Sequence, residues 1–342
     1  MDRPHPLQNF RLASFVFVLE LIDTLRLPEY KGATFRGGFG YSFKKVVCAL
    51  RTKECPECLL REKCIYSYVF ETPPPADTRM MRKYPSAPHP FVLLPPLEDD
   101  RVYEPGERLE FRLTLIGKAV DYLPYFIYSF EELGKMGLGA GRGKFSLEEV
   151  RAAKTDPREE ICEEGSEKRE QGEVKRRKVE GERIYSIKDK ILRRTESPTP
   201  PFAFPTSPLS SPLSLLFLTP TRLKFQGELT SDLNFHVLFR NLLRRISLLS
   251  YFHCGEELKV DFRGLIQEAE KVQTKESRLH WQDWERYSTR QEEKMKLGGF
   301  LGRITYSGSF EPFSPYILLG EWIHVGKGSS FGLGKYEILH RI

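Results

Sequence analysis

The chain has 342 residues, of which 40% are hydrophobic and 29% are charged, and its 53 basic and 47 acidic side chains give a formal net charge of +6. This length suffices for two domains that bury their own cores without disulfide staples. No window reaches the roughly 18 apolar residues of a membrane span, and the apolar run 14–22 lacks a secretory cleavage pattern, so we expect a cytoplasmic protein without a membrane partner.

The first part of the chain predicts a β-α-β-β-α-β order of elements. The run 15–22 is apolar and rich in β-formers, which is typical of a strand buried on both faces. The predicted elements are this strand, a helix from Arg36 to about Val47, strands over 91–94 and 110–116, a helix over 121–133 that ends in glycines, and a strand over 144–150.

The middle of the chain predicts a flexible insertion. Residues 154–183 carry mixed charge and almost no large apolar side chain, so they cannot bury enough surface to fold alone. Residues 197–212 are rich in Pro and Ser, and the segment 184–192 between the two stretches can add an edge strand to either lobe. We therefore divide the chain into an N-terminal lobe (1–153), the insertion (154–212) and a C-terminal lobe (213–342).

The C-terminal lobe predicts the same order of elements again. Its first helix begins near residue 233 with Ser231 or Asp232 as the cap, and its polar face carries Arg240, Arg244 and Arg245. The other predicted elements are strands over 214–218, 222–225, 281–287 and 302–306, a helix over 314–324, and a final strand over 335–339.

An internal repeat connects the two lobes. A constant offset of 191 residues pairs Tyr125 with Tyr316 and continues through the glycines, the lysines and the last strand: Gly137 with Gly328, Gly141 with Gly332, Gly143 with Gly334, Lys144 with Lys335, Phe145 with Tyr336, and Leu147 with Ile338. The repeat predicts an α+β fold of two tandem ferredoxin-like (RRM-like) lobes, each with a glycine-rich loop between its second helix and its last strand.

The two glycine-rich loops are the first candidate binding elements. They follow a helix and open a strand, which is the reverse of a dinucleotide-binding loop, and they lack the phosphate-loop pattern. Exposed backbone N–H groups beside lysines can instead hold successive phosphates of a nucleic-acid strand, although tight turns that need positive φ give the same pattern. The candidate residues are Gly137, Gly139, Gly141, Gly143 and Lys144 in the first loop, and Gly326, Lys327, Gly328, Gly332, Gly334 and Lys335 in the second.

Four cysteines crowd into residues 48–64. Cys48, Cys55, Cys58 and Cys64 have the spacing Cys-x6-Cys-x2-Cys-x5-Cys, whose central Cys-x2-Cys is typical of a tetrahedral thiolate zinc site. Four thiolates leave no open position for water, so such a zinc ion would be structural. An iron–sulfur cluster and free or paired thiols remain alternatives. Cys162 and Cys254 are expected to be ordinary thiols.

Basic and aromatic residues gather in and just before the first predicted helix. The helix N-terminus, Arg36, Lys44 and Lys45 can meet phosphate, and the side chains of Tyr30, Phe39 and Tyr41 can stack on bases. The alternative is that the aromatic side chains pack the helix on its sheet while the lysines are solvated. Arg244 and Arg245 are the corresponding candidates for phosphate contact in the C-terminal lobe.

Histidine is the side chain best suited to proton transfer near neutral pH. His324 lies directly before the second glycine-rich loop. It is therefore the histidine with the best claim to act as a general base or acid.

The chain resembles the CRISPR-associated endoribonucleases that cut precursor CRISPR RNA at its repeats, within the repeat-associated mysterious protein (RAMP) superfamily. The motifs that carry the resemblance are Phe35-Arg-Gly-Gly-Phe-Gly, Cys64-Ile-Tyr-Ser-Tyr-Val-Phe-Glu after the cysteine knuckle, Pro90-Phe-Val-Leu, and Val325-Gly-Lys-Gly-Ser-Ser-Phe-Gly-Leu-Gly-Lys. The resemblance extends over both lobes but not over the charged insertion. The four cysteines resemble a subgroup of that family with a metal-binding insertion.

The resemblance implies a reaction and its participants. Repeat RNA is expected across a cleft between the lobes, and a ribose 2′-OH would attack the adjacent phosphate without a metal, leaving a 2′,3′-cyclic phosphate and a 5′-OH end. Many relatives place a catalytic histidine near the first helix, whereas residues 7–88 here contain none. Tyr30, Tyr41, Lys44 or Lys45 would have to substitute, or His324 would have to reach across the cleft; of these we select His324, Tyr30 and Lys44.

Two other functions remain open. A non-catalytic RNA-binding subunit of a CRISPR effector complex would use the same fold and loops without cutting. A zinc-stabilised scaffold with a protein partner is a different class, and it predicts no salt-dependent RNA binding.

Overall fold

The computed structural model describes residues 5–51, 55–153, 181–193, 208–283, 285–288, 293–296 and 298–339. The chain divides into two compact units, Arg11–Ala203 and a second unit that joins Met1–Phe10 to Phe204–Ile342. Within the predicted insertion, residues 154–180, with Cys162, and residues 194–207 lie outside the described residues. Among the described residues, no helix combines the length and apolar character that crossing a membrane requires.

The N-terminal lobe, Arg11–Ala203, contains one five-stranded antiparallel sheet and two helices. Its main elements are β1 (Leu12–Leu21), β2 (Leu25–Arg26), α1 (Gly32–Val47), β3 (Phe91–Leu94), β4 (Val102–Tyr103), β5 (Arg108–Ile116), α2 (Leu123–Met136), β6 (Phe145–Ala153) and β7 (Gly181–Ser186). The strand order is β3-β5-β1-β6-β7. Strand β7 confirms the predicted edge strand, begins three residues earlier, and pairs with β6 of this lobe.

Aromatic side chains build the core between the helices and the sheet. Phe39 of α1 stacks on Phe130 of α2 at 4.9 Å between ring centroids, and Phe130 contacts Phe17 of β1 at 5.1 Å. Phe39 is fully buried, so it packs the helix on its sheet and cannot stack on a base. On the other face of β1, Val16 and Val18 are also buried, as the unbroken apolar run predicts.

The C-terminal lobe repeats the arrangement with a four-stranded antiparallel sheet in the order β11-β14-β8-β15. Its main elements are β8 (Leu213–Thr221), β9 (Leu223–Phe225), β10 (Glu228–Thr230), α3 (Phe235–Leu249), α4 (Phe262–Ala269), β11 (Gln273–Gln282), β12 (Glu285–Ser288), β13 (Glu293–Lys296), β14 (Gly299–Ser307), α5 (Ser314–Ile323) and β15 (Tyr336–Leu339). In both lobes the first strand lies between the third and the fourth, which is the ferredoxin-like order. The predicted fold class is confirmed.

Two local predictions for this lobe were wrong. The cap of α3 is Asn234, whose side chain makes no capping hydrogen bond, and not Ser231 or Asp232. The predicted strand over 281–287 is replaced by the long strand β11, which ends at Gln282, and by the separate β12–β13 hairpin. Strand β11 is polar along most of its length and largely exposed, so hydrophobic alternation gave no signal for it.

The structure extends the internal repeat beyond the residues that first indicated it. Strands β5 and β14 begin and end at the same offset of 191 residues, and so do the first residues of α2 and α5 and of β6 and β15. A serine–threonine hydroxyl pair also recurs, with Ser14 bonded to Thr114 at 3.1 Å and Ser214 bonded to Thr305 at 2.8 Å. The lobes therefore have corresponding strands, helices and loops.

Candidate functional site

The first glycine-rich loop connects α2 to β6 and packs closely on the backbone of β2. Gly137, Gly139 and Gly141 have φ values of 79°, 71° and 83°. The N–H of Ala140 donates to the carbonyl of Arg26 at 2.9 Å. A Cβ at Gly137 would collide with the carbonyl oxygen of Arg142. Close packing and positive φ therefore account for these glycines, as the alternative reading of the pattern requires.

Three basic side chains surround this loop, and we call them the first cation cluster: Arg26, Arg142 and Lys144. All three are exposed, and Arg142 has a φ of 53°, which is uncommon for a residue other than glycine. The backbone N–H of Lys144 donates to the carboxylate of Asp23 at 3.1 Å. The sequence predicted Lys144 but not Arg26 or Arg142. The position of Arg142 between two glycines could have indicated that it belongs to the loop's binding residues. Arg26 gives no such signal, because only backbone pairing brings it to the loop.

The second glycine-rich loop lies between α5 and β15. Gly326, Gly328, Gly332 and Gly334 all have φ values between 77° and 84°. The N–H of Gly334 donates to the carbonyl of Pro220 at 3.2 Å, and the N–H of Gly332 donates to that of Ser329 at 2.9 Å. These two N–H groups are used inside the protein, so the prediction that they hold phosphate was wrong for Gly332 and Gly334.

A second group of cations lies where this loop meets the backbone after β8, and we call it the second cation cluster: Arg222, Lys224 and Lys327. The N–H of Lys327 donates to the carbonyl of Arg222 at 3.0 Å. Burial, then the charges of Lys224 and Arg222, lower the pKa of the Lys327 ammonium. Burial also lowers the pKa of Arg222. Cations that destabilise one another in this way are complementary to a polyanion.

Helix α3 extends the second cation cluster. The side-chain amide of Asn241 donates to the carbonyl of Lys224 at 3.1 Å, which brings this helix against β9. Arg244 lies one turn further along α3 and is exposed, as is Arg240. The exposure of Arg244 agrees with the predicted polar face of this helix, and its contact with phosphate stays a prediction.

Two of the predicted phosphate-binding cations are interior side chains. Lys335 is 7% exposed and its Nζ donates to the carbonyl of Glu321 at 3.0 Å. Arg245 is 9% exposed, its Nε donates to the carbonyl of Ile323 at 3.0 Å, and burial lowers its pKa to about 10. Both side chains satisfy carbonyls at the end of α5 that have no partner within the helix. Their assignment to RNA contact was wrong.

His324 is also an interior residue. It ends α5 with a φ of 61°, is 2% exposed, and its Nδ1–H donates to the carbonyl of Leu333 at 3.2 Å. The imidazole thus fixes the far end of the second glycine-rich loop. A general base must reach the proton that it abstracts, and this burial contradicts the predicted catalytic role.

Helix α1 begins at Gly32, four residues before the predicted start. Arg36 consequently lies inside the helix, with its guanidinium 4.7 Å from the ring centroid of Phe70, and not at a helix N-terminus. The ammonium of Lys44 lies 5.3 Å from the ring of Tyr66. Burial raises the pKa of Tyr30 well above its ordinary value of 10.0, so this phenol is poorly suited to accept or release a proton near neutral pH.

Tyr41 and Lys45 are the open functional groups of α1. Tyr41 is 71% exposed and Lys45 is exposed one turn later on the same face. The Nζ of Lys45 lies 3.9 Å from the sulfur of Met136, the last residue of α2 before the first glycine-rich loop. An exposed phenol and an exposed ammonium therefore lie on one face of α1, and the ammonium reaches the end of α2 where the first glycine-rich loop begins.

The four clustered cysteines lie between α1 and the turn before Tyr66. Cys48 directly follows α1, and the N–H of Cys58 donates to the carbonyl of Cys55 at 3.3 Å, which closes the knuckle as a tight turn. All four thiols are half-buried and outside any disulfide. In the part of the chain that the structure describes, no group of three or more His, Cys, Asp or Glu residues is arranged to hold a metal. Zinc remains a prediction from ligand spacing.

Comparisons of sequence divide the chain as the two lobes do. Residues 10–175 match a family described as the AF_1859_N N-terminal domain. Residues 215–336 match the family described as CRISPR-associated endoribonuclease Cas6. An uncharacterized protein of Archaeoglobus fulgidus is 27% identical over 322 residues, which cover 91% of this chain and 92% of that protein.

Solved structures share the fold of the whole chain. A Cas6 product complex has a TM-score of 0.55 at 15% identity, covering 96% of this chain and all of that one. Thermus thermophilus Cas6 has a TM-score of 0.51 at 15% identity and covers 96% and 99%. A chain of a partial Cas6-RT-Cas1–Cas2 complex has a TM-score of 0.51 at 14% identity, and the match covers 97% of this chain and 46% of that one.

Proposed function

We propose that this chain acts as the Cas6 endoribonucleases do, whose family model its residues 215–336 match: it binds CRISPR repeat RNA and cleaves precursor CRISPR RNA within the repeats. The observation that carries the proposal is that each lobe presents a cation cluster where its glycine-rich loop meets the backbone that follows its first strand. Local clusters of Lys and Arg are the feature that gives affinity for a phosphate backbone.

Binding is proposed to use both clusters. Arg26, Arg142 and Lys144 serve the first lobe, and Lys224 and Lys327 serve the second, with Arg244 beside them. The role of the glycines is to allow the backbone turns that bring these cations together, and Gly141, which is exposed with open space around it, permits close approach of a phosphate.

Cleavage is proposed to proceed without a metal. The ribose 2′-OH loses its proton and attacks the adjacent phosphorus, the bond to the 5′ oxygen breaks, and that oxygen takes a proton. The products are a 2′,3′-cyclic phosphate and a 5′-OH end. The reaction needs proton transfer at both oxygens and cations around the phosphorane. Of the residues considered from sequence, Tyr41 and Lys45 fit this role better than His324 and Tyr30, because both are exposed and Lys45 reaches the end of α2 at the start of the first glycine-rich loop. Lys44 is retained as a secondary candidate.

The processed RNA is proposed to pass to a CRISPR effector complex in the cytoplasm. Structural zinc at Cys48, Cys55, Cys58 and Cys64 is proposed on ligand spacing alone.

The test is binding and cleavage of labelled repeat RNA by the full chain at several salt concentrations. Arg26→Ala with Lys144→Ala, and Lys224→Ala with Lys327→Ala, should each weaken binding and lower the slope of log K against log salt by about 1 for each lost phosphate contact. Lys259→Ala removes an exposed lysine outside both clusters and is the matched control. Equal binding by all variants would contradict the proposed interface. Tight, salt-sensitive binding without cleavage would instead identify a non-catalytic subunit of an effector complex.

A further inference from the structure

Residues 72–87 form a loop that is tied at its base. The N–H of Ala87 donates to the carbonyl of Thr72 at 2.8 Å, and the hydroxyl of Thr72 donates to the carbonyl of Ala87 at 2.9 Å. Thr72 is 3% exposed and has a φ of 44°. A β-branched residue adopts this conformation only where its surroundings hold it there. The loop is therefore a compact closed structure, of the kind that often carries function.

Hydrogen bonds inside the loop fix the walls of a cavity. The N–H of Thr78 donates to the carbonyl of Pro75 at 3.0 Å, and the Nε of Arg82 donates to the carbonyl of Thr78 at 3.0 Å. The N–H of Tyr84 donates to the carbonyl of Met81 at 2.9 Å. These bonds surround an open cavity of about 610 Å³, which lies within the usual range of about 300–1,000 Å³ for small-ligand sites.

The cavity combines groups that suit one class of ligand. Its lining includes Arg61, Arg82, Tyr84, Asp77 and rigid proline rings. Tyr84 is 54% exposed, so more than half of its surface is accessible to a ligand. The backbone N–H of Arg61 donates to the carbonyl of Cys58 at 2.9 Å, and its guanidinium donates to the carbonyl of Pro56 at 3.4 Å, which holds Arg61 on the neighbouring cysteine turn. Guanidinium groups pair with phosphate, an open aromatic ring stacks on a base, and a carboxylate accepts from a base amino group or a ribose hydroxyl.

We propose that this cavity binds one unpaired nucleotide of an RNA strand, with Tyr84 against the base, Arg61 and Arg82 on the phosphate, and Asp77 on a donor of the base or ribose. This inference rests on the proposed function, because the strand is taken to be the same RNA that the cation clusters bind. The loop precedes β3, whereas the first cluster follows β1 and α2. None of the residues that line the cavity belongs to either cation cluster, so the cavity would add a contact to those that the clusters make.

The first experiment compares two repeat RNAs, with and without a short single-stranded extension, as ligands of the full chain. Tyr84→Ala and Arg82→Ala should each weaken binding of the extended RNA by roughly ten-fold, within the effect expected for one stacked base, and leave binding of the shorter RNA unchanged. Lys83→Ala removes the same charge from an exposed neighbour that does not line the cavity and should change neither affinity. Wild-type affinity of the Tyr84 and Arg82 variants for the extended RNA would overturn the proposal.

A second experiment examines the cavity without relying on repeat recognition. Irradiation of the full chain with a short 4-thiouridine oligoribonucleotide should crosslink residues 72–87, more strongly than irradiation with 4-thiouridine monophosphate, and Tyr84→Ala should abolish the crosslink. Absence of the crosslink, or preference for the free nucleotide, would overturn the assignment to RNA. If the crosslink persists while the cation-cluster variants bind the repeat like the wild type, the proposed repeat interface fails and the cavity assignment stands.

Discussion

Three side chains of the C-terminal lobe show that a basic residue in the sequence does not reveal which group it contacts. Lys335, Arg245 and His324 are all adjacent to the second glycine-rich loop or its helix, and each donates a hydrogen bond to a main-chain carbonyl of α5 or of the loop after it. A carbonyl and a phosphate oxygen are both acceptors, so the sequence pattern is the same for both. Only burial distinguishes the two roles, and burial depends on the packing of α3 against α5.

The role of His324 predicts a specific response to substitution. His324→Ala removes the donor to the Leu333 carbonyl and leaves that buried acceptor unpaired, so the free energy of unfolding should fall by about 1–3 kcal/mol. His324→Asn should recover part of this loss, because asparagine carries an amide donor. Thermal unfolding measures both effects. Loss of cleavage by a His324→Asn variant of normal stability would contradict the structural role and restore the catalytic one.

The depressed pKa of Lys327 predicts a pH dependence of RNA binding. Because burial and the neighbouring cations lower its pKa below the ordinary 10.5, Lys327 loses its charge at a lower pH than an ordinary lysine does. Binding of repeat RNA should therefore weaken as the pH rises through this lowered pKa. Lys327→Arg keeps its charge over the whole range, so this variant should hold its affinity to higher pH. Lys259→Arg is the control, and identical alkaline profiles for wild type and Lys327→Arg would refute the assignment.

Among the elements, the glycine-rich loops were located correctly from sequence, but the sequence left open whether their glycines serve phosphate binding or tight turns. The positions of the two loops in the chain and their offset of 191 residues can be derived from the sequence alone. The matching bounds of β5 and β14 confirm this offset. The N–H of Gly332 is used in a local turn with Ser329, and the N–H of Gly334 is used because the second loop is packed against Pro220 at the end of β8. That contact joins residues about a hundred positions apart, so no local pattern contains it. For the same reason, Arg26 and Arg222 were not predicted as binding residues from the sequence.

A glycine substitution tests this account of the second loop. A Cβ at Gly334 would collide with the carbonyl oxygen of Val325, whereas Gly227 also has positive φ but open space around it. Gly227→Ala should cost about 1 kcal/mol, the ordinary penalty of the left-handed conformation. Gly334→Ala should cost several times more, because the backbone must also move. Denaturant unfolding compares the two, and equal losses would contradict the close packing.

At the scale of the whole molecule, the duplicated fold was predictable because hydrophobic period, glycine punctuation and internal repeat agree with one another. The difference in exposure between corresponding residues of the two lobes was not predictable. Lys144 at the end of the first glycine-rich loop is exposed, whereas Lys335, its counterpart at the offset of 191 residues, is buried. Residues at corresponding ends of the two glycine-rich loops therefore differ in whether a ligand can reach them.

The cysteine cluster predicts a response of the whole molecule to metal removal. If the four thiolates hold structural zinc, the purified chain should contain one zinc ion, and a chelator or Cys58→Ser should lower Tm while protein that stays folded still cleaves. Cys254→Ser changes a half-buried thiol outside the cluster and is the control. Elemental analysis without zinc or iron, and a Tm unaffected by chelation, would contradict the metal site.

Cleavage of repeat RNA in EDTA tests the central claim most directly. Purified full-length protein is incubated with labelled precursor transcripts, and the 3′ ends are analysed for cyclic phosphate. We predict cutting at one position in each repeat, slowed about 10²–10⁴-fold in Lys45→Ala or Tyr41→Phe if the changed group transfers a proton, with RNA affinity nearly unchanged for Tyr41→Phe. Salt-sensitive binding without any cleavage would contradict the enzymatic claim and leave a protein that only holds the RNA.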